Sequence, residues 1–174
     1  MKNIHVVPTK RAAGATLEYK AEAPHRILVV DDDSDILLLN SEVLKRSGYQ
    51  VDTAEDGEAG WKALHAASYA PDSYDLLITD HDMPGLTGLD LIKKLRAARM
   101  ELPFIMATGK LPAQELARNP WLQPAATLLK PYSIEALLET VRDVLYATHS
   151  SACAQLPPPP HWQSQPLADP LRLF

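Results

Sequence analysis

Five short apolar runs recur along the chain, and each gives way to a stretch patterned as a helix. They are Ile27-Leu28-Val29-Val30, Val51-Asp52-Thr53-Ala54, Leu76-Leu77-Ile78-Thr79, Pro103-Phe104-Ile105-Met106-Ala107 and Ala126-Thr127-Leu128-Leu129. Runs of this length and aliphatic type are too short for buried helices and suit strands covered on both faces. Strands that alternate with helices build a parallel sheet, because a parallel neighbour is reached only through a crossover. The expected fold class is therefore α/β, a doubly wound five-stranded parallel sheet with helices on both faces.

The helical stretches carry their own punctuation. Ser34 is placed to cap a helix ending near Ser47, with Ile36, Leu39 and Val43 on one face, Leu37 and Leu44 beside it, and Gly48 as the stop. Asp56-Gly57 reads as a turn before a helix reaching Ala67, with Trp61 and Leu64 inward. Thr87-Gly88-Leu89-Asp90 has capping-box spacing for a third helix. Pro112, Pro120 and Pro124 leave room only for a short helix over 113–118. Ser133 caps the last one, whose apolar positions Ile134, Leu137, Leu138, Val141, Val144 and Leu145 recur at helical spacing.

Outside these elements the patterning fades. Residues 1–24 form an N-terminal extension without a secure element, 25–147 form the domain, and 148–174 read as a Pro-rich, disordered tail. Six of the fifteen prolines fall between Pro157 and Pro170, a composition that favours extended polyproline II chain over a packed core. Pro157-Pro158-Pro159-Pro160 is read as solvated tail ahead of a docking motif. The formal net charge of −5 argues against a nucleic-acid surface. The single cysteine, Cys153, cannot pair within the chain and points to a reducing compartment. No stretch approaches the ~20 apolar residues that span a bilayer, so a cytoplasmic protein with no membrane contact is expected.

In open parallel sheets ligands bind beyond the carboxyl ends of the strands. Those ends carry Asp31 and Asp32 after the first run, Asp80 after the third, Thr108 after the fourth and Lys130 after the fifth. Carboxylates crowded within a few ångström need a cation to stay ionised together, which invites a hard metal such as Mg²⁺. An ionised Asp80 beside that metal is an aspartyl nucleophile of the type that forms acyl phosphates. Lys130 supplies a compact positive charge, and Thr108 a hydroxyl donor with Gly109 leaving space beside it.

These residues, in this order, resemble the receiver (CheY-like) domain of two-component response regulators. The resemblance rests on Ile27 to Asp32, on Asp80 with Met83-Pro84 and Gly88, on Thr108-Gly109 and on Lys130-Pro131. It implies the flavodoxin-like strand order 2-1-3-4-5. It also implies that Asp80 takes a phosphoryl group from a phosphohistidine of a histidine kinase or histidine phosphotransfer protein. Asp32, Asp80 and the backbone carbonyl of Asp82 would ligate Mg²⁺ (Mn²⁺ substituting), with Asp31 helping through water. The Lys130–Pro131 bond is expected to be cis, turning the lysine into the site.

Three features depart from the family pattern. Thr127 replaces the usual aromatic three residues before the lysine, so an aromatic swing is not available; a Thr108–Thr127 hydroxyl pair is the conceivable substitute. The proline-rich stretch 111–124 replaces a regular fourth helix. Asp82 and Lys110 hold the positions that modulate phosphoryl lifetime and are expected to face one another across the phosphoryl group.

Other readings compete for the same residues. Asp31, Asp33, Asp35 and Glu42 mimic an EF-hand loop, but Ile36 stands where its turn needs glycine. Asp33 is read as a surface acid and His81 as an exposed loop residue. Trp61 and Tyr132 are read as packing residues. Ile27–Asp35 also resembles the opening of haloacid-dehalogenase-like phosphatases, with Asp31 as nucleophile and Asp33 as acid/base. That reading places the required second acidic pair among Glu135, Glu139 and Asp143, which point away. A receiver that only binds and is never phosphorylated is the remaining alternative. The expectation is a single-domain response regulator, a phosphoacceptor without separate turnover, that signals through altered protein contacts, with phosphorylation-dependent homodimerisation left open.

Overall fold

The structure is a computed structural model that describes residues 24–69 and 73–153. The elements run β1 (Arg26–Val30), α1 (Ser34–Arg46), β2 (Gln50–Ala54), α2 (Gly57–Ala67), β3 (Leu76–Asp80), α3 (Gly88–Ala97), β4 (Phe104–Thr108), α4 (Ala113–Arg118), a 3-10 turn at Pro120–Leu122, β5 (Ala126–Leu129) and α5 (Ile134–Cys153). All strand pairs are parallel, and the order is β2-β1-β3-β4-β5. The chain order reverses between β1 and β3, so their carboxyl ends form the crevice of an open sheet.

Alternation along the strands divides the core into two layers. Leu28, Val30, Leu77 and Met106 face one side, where Leu64 of α2 and Leu89, Ile92 and Leu95 of α3 cover them. Ile27, Val29, Leu76, Ile78 and Ile105 face the other, under Leu37 and Leu44 of α1 and Leu137, Val141 and Val144 of α5. The central strands β3 and β4 are buried throughout, which accounts for their uninterrupted apolar run. Whatever stands at their ends is held by a rigid frame.

Two local expectations need correcting. Asp33, not Ser34, caps α1: its carboxylate accepts from the N–H groups of Asp35 and Ile36 at 2.9 and 3.2 Å. A carboxylate at this place also meets the positive end of the helix dipole, which a hydroxyl does less well. The inward stripe of α1 is Leu37, Asn40, Ser41 and Leu44. Leu39, expected inside, is 52 % exposed, because the stripe that contains Leu37 and Leu44 turns 38 and 39 outward.

The other boundaries follow their signals. Asp56 caps α2, so Gly57 is its first helical residue rather than a turn residue. Pro112 begins and Pro120 follows the short α4. Ser133 Oγ accepts from Ala136 N–H at the start of α5, which continues to Cys153, past the expected end at 147. The expectations for 1–23 and 154–174 lie outside the described residues. Among the described residues, no helix is long and apolar enough to cross a membrane.

Candidate functional site

Asp80 ends the central strand β3 and is 7 % exposed. Its Oδ1 accepts from the backbone N–H of His81 at 2.6 Å, with the N–H of Asp82 farther off at 3.4 Å. Its Oδ2 accepts from Lys130 Nζ at 3.0 Å. The chain leaves the strand through a tight loop in which Gly88 N–H donates to His81 O at 3.1 Å. A Cβ on Gly88 would run into the Asp80 carbonyl oxygen, so only glycine lets α3 begin this close to the strand end.

Lys130 follows β5 across the sheet edge, and its peptide bond to Pro131 is cis, as expected. Its backbone N–H donates to Thr108 O at 2.9 Å, tying the β5 end to β4. From there Nζ reaches Asp31 Oδ2 at 2.7 Å as well as Asp80. The Oδ1 of Asp31 accepts from Asp33 N–H at 3.1 Å. Burial pushes the Asp31 carboxyl above its ordinary value, and the nearby Asp80 adds to this, against the hydrogen bonds from Lys130 and Asp33. Burial also opposes the Lys130 charge, but bonds to Asp31 and Asp80 outweigh it and hold the ammonium above its usual range. Both members of the pair shift upward because burial dominates at the acid and the paired acids dominate at the base.

Asp31, Asp32 and Asp80 each place a carboxylate oxygen within 4.8 Å of the others. Against the single ammonium of Lys130 they leave an excess of two negative charges, matched by one divalent cation. All the donors are hard oxygens, and Asp32 faces solvent, which gives an entry side. The set suits Mg²⁺, which prefers a few carboxylates and retained waters.

Thr108 ends β4 and is fully buried. Its hydroxyl donates to Lys110 O at 3.0 Å, stands 3.5 Å from Asp82 Oδ2, and accepts from Lys110 N–H at 3.2 Å. Asp82 and Lys110 are both exposed, and no ion pair joins them among the described residues; the Thr108 hydroxyl stands between them instead. Thr127 lies opposite Met106 in the ladder, whereas Thr108 lies opposite Leu129. The conceivable Thr108–Thr127 bond is therefore absent, since the Thr108 hydroxyl is engaged by its own loop.

Some residues depart from their expected surroundings. His81 is half-buried rather than exposed, and its Nδ1 has no hydrogen-bond partner. Tyr132 packs against the α1–α5 side of the core, and its hydroxyl also accepts from Asn40 Nδ2 at 2.9 Å. No local signal singles out Asn40, which is 92 positions from its partner. A second polar chain starts from the Thr87–Asp90 capping box and runs on to α4, a step the sequence does not signal. Thr87 Oγ1 donates to Asp90 at 2.8 Å, and Lys93 Nζ bridges Asp90 at 3.0 Å and Glu115 of α4 at 2.6 Å.

Comparison with known proteins agrees with this geometry. The family model for the response regulator receiver domain matches residues 27–142. The chain belongs to the response regulator receiver family. The receiver domain is similar to the transcriptional regulatory protein RprY of Bacteroides fragilis, at 32 % identity over 69 % of this chain and 49 % of that protein. It is 37 % identical to part of the sensor protein EvgS of Escherichia coli, over 71 % of this chain and 10 % of that protein. Among solved structures it resembles the chemotaxis response regulator CheY4 of Vibrio cholerae, with TM-score 0.59 and 31 % identity over 70 % of this chain and 98 % of that one. The chain thus spans about half the length of RprY and a tenth of EvgS. Receiver domains take phosphoryl groups from histidine kinases and bind Mg²⁺ in an acidic pocket, so phosphorylation-based two-component signalling is the setting of this chain. Membership also removes the phosphatase reading that made Asp31 the nucleophile.

Proposed function

We propose that Asp80 is the phosphoacceptor of this receiver and takes its phosphoryl group from the phosphohistidine of a kinase or phosphotransfer protein. The observation that carries this reading is Lys130 Nζ bridging Asp31 and Asp80 at the end of the central strand. A carboxylate oxygen of Asp80 attacks phosphorus in line; the P–N bond to the imidazole breaks, its electron pair stays on nitrogen, and an aspartyl phosphate forms. Asp31, Asp32, Asp80 and the carbonyl of Asp82 would hold Mg²⁺, or Mn²⁺ in its place. When bound, the ion offsets charge between the carboxylates and the incoming phosphoryl oxygens.

The remaining steps belong to side chains of the chain. Lys130 pairs with a phosphoryl oxygen once the Asp80 charge is covalently engaged. Thr108 turns its hydroxyl proton from Lys110 O to another phosphoryl oxygen. That exchange releases the backbone of the β4–α4 loop, and the altered surface is the signal read by a protein partner. Asp82 and Lys110, exposed on either side of Thr108, modulate how long the phosphoryl group survives.

The test is transfer from a phosphorylated histidine phosphotransfer domain, followed by label on this chain. Label should move in Mg²⁺ and stop in excess EDTA. Transfer undiminished by EDTA would remove the metal from the account.

A further inference from the structure

Asn40 is a buried amide in the middle of a helix, where its low propensity and desolvation both work against it. It is 3 % exposed and sits in the inward stripe with Leu37, Ser41 and Leu44. Its hydrogen bond crosses to a different part of the fold: Nδ2 donates to the Tyr132 hydroxyl at 2.9 Å. Tyr132 is two residues beyond Lys130, directly after the cis Pro131. Asp31, the nearer partner of Lys130 Nζ, stands just ahead of α1, whose cap is Asp33. The β1–α1 unit therefore grips the turn after β5 twice, once at the ammonium through Asp31 and once at the ring through Asn40. A lysine has four rotatable carbons and no fixed direction of its own. Two attachments to one rigid unit give it one.

We propose that Asn40 is a positioning residue for Lys130: by holding the Tyr132 hydroxyl it fixes the Lys130–Pro131–Tyr132 turn and keeps Nζ between Asp31 and Asp80. This deepens the phosphoacceptor reading and rests on it. A buried polar group that breaks the local apolar pattern is the kind of violation that functional sites retain.

The experiment uses the full chain with Tyr132→Phe, Asn40→Leu and the double variant, phosphorylated by acetyl phosphate at saturating Mg²⁺. Tyr132→Phe keeps the ring and removes only the bond. It should lower the labelling rate by about three- to tenfold, the worth of one lost hydrogen bond. In the double variant no buried amide is left unpaired, so Tm should return toward wild type while the rate stays low. A rate that recovers together with Tm, or wild-type labelling in Tyr132→Phe, would overturn the proposal and leave the pair as packing. A readout that needs no phosphorylation separates this from failure of the phosphoacceptor reading. The ¹⁵N resonance of the Lys130 ammonium, protected while Asp31 and Asp80 hold its protons, should broaden in Tyr132→Phe; an unchanged signal would contradict the clasp even if wild type took no phosphate.

Discussion

The two sides of the Asp80 crevice are built differently. On the β1–β5 side, Lys130 and Asp31 have side chains 20 % and 3 % exposed and meet at 2.7 Å, and the turn that follows is clasped by Asn40. On the β4–α4 side, Asp82 and Lys110 are exposed and α4 has six residues. α4 buries Leu116 in the same core layer as Leu89 and Ile92 of α3, and its polar tie to α3 is the Lys93–Glu115 pair at 2.6 Å, with side chains 39 % and 42 % exposed. Exposed pairs of this kind contribute ~0–1 kcal/mol. Charge is thus preorganised in the buried Asp31–Lys130 pair, whereas the polar tie between α4 and α3 is exposed and weak.

That contrast can be broken at its strong side first. The raised Asp31 carboxyl makes the buried acid a burden once ionised. Below its ordinary value of 3.8 the group is protonated both folded and unfolded. As pH rises through the elevated folded value, that contribution to stability is lost. Asp31→Asn mimics the protonated form, so in the absence of metal it should raise Tm at pH 7 by about 2–4 °C. The gain should vanish below pH 3.8 and shrink when Mg²⁺ stabilises wild type. Thermal melts across pH check this, and a variant less stable than wild type at pH 7 would mean that the Lys130 pairing outweighs burial.

The weak side should answer more quietly. Glu115→Gln removes the α4 end of the Lys93 bridge and should shift Tm by less than about 2 °C. Amide hydrogen exchange over 111–122 should nevertheless accelerate several-fold, with the Lys130–Tyr132 turn unchanged. Equal acceleration in both regions would show that the two sides are one cooperative unit.

The distribution of what the sequence discloses follows from how each feature is encoded. Asp31, Asp32, Asp80, Thr108 and Lys130 are legible because each ends an apolar run, and a parallel sheet gathers such ends at one edge. The short α4 over 113–118 is legible because prolines bracket it. The rotation of α1 is not, since a stripe through Ile36 and a stripe through Leu37 differ by one residue in a segment that is apolar at all of 36–39. The Asn40–Tyr132 and Lys93–Glu115 contacts join segments 92 and 22 positions apart. Pairings at that distance carry no periodic signal and exist only once the helices are packed.

The most direct measurement of the central claim is intact mass after reaction with acetyl phosphate and Mg²⁺, on wild type and on Asp80→Asn. Wild type should gain one phosphoryl group and Asp80→Asn none. No added mass on wild type, or equal labelling of the two, would contradict the assignment of Asp80 as the phosphoacceptor.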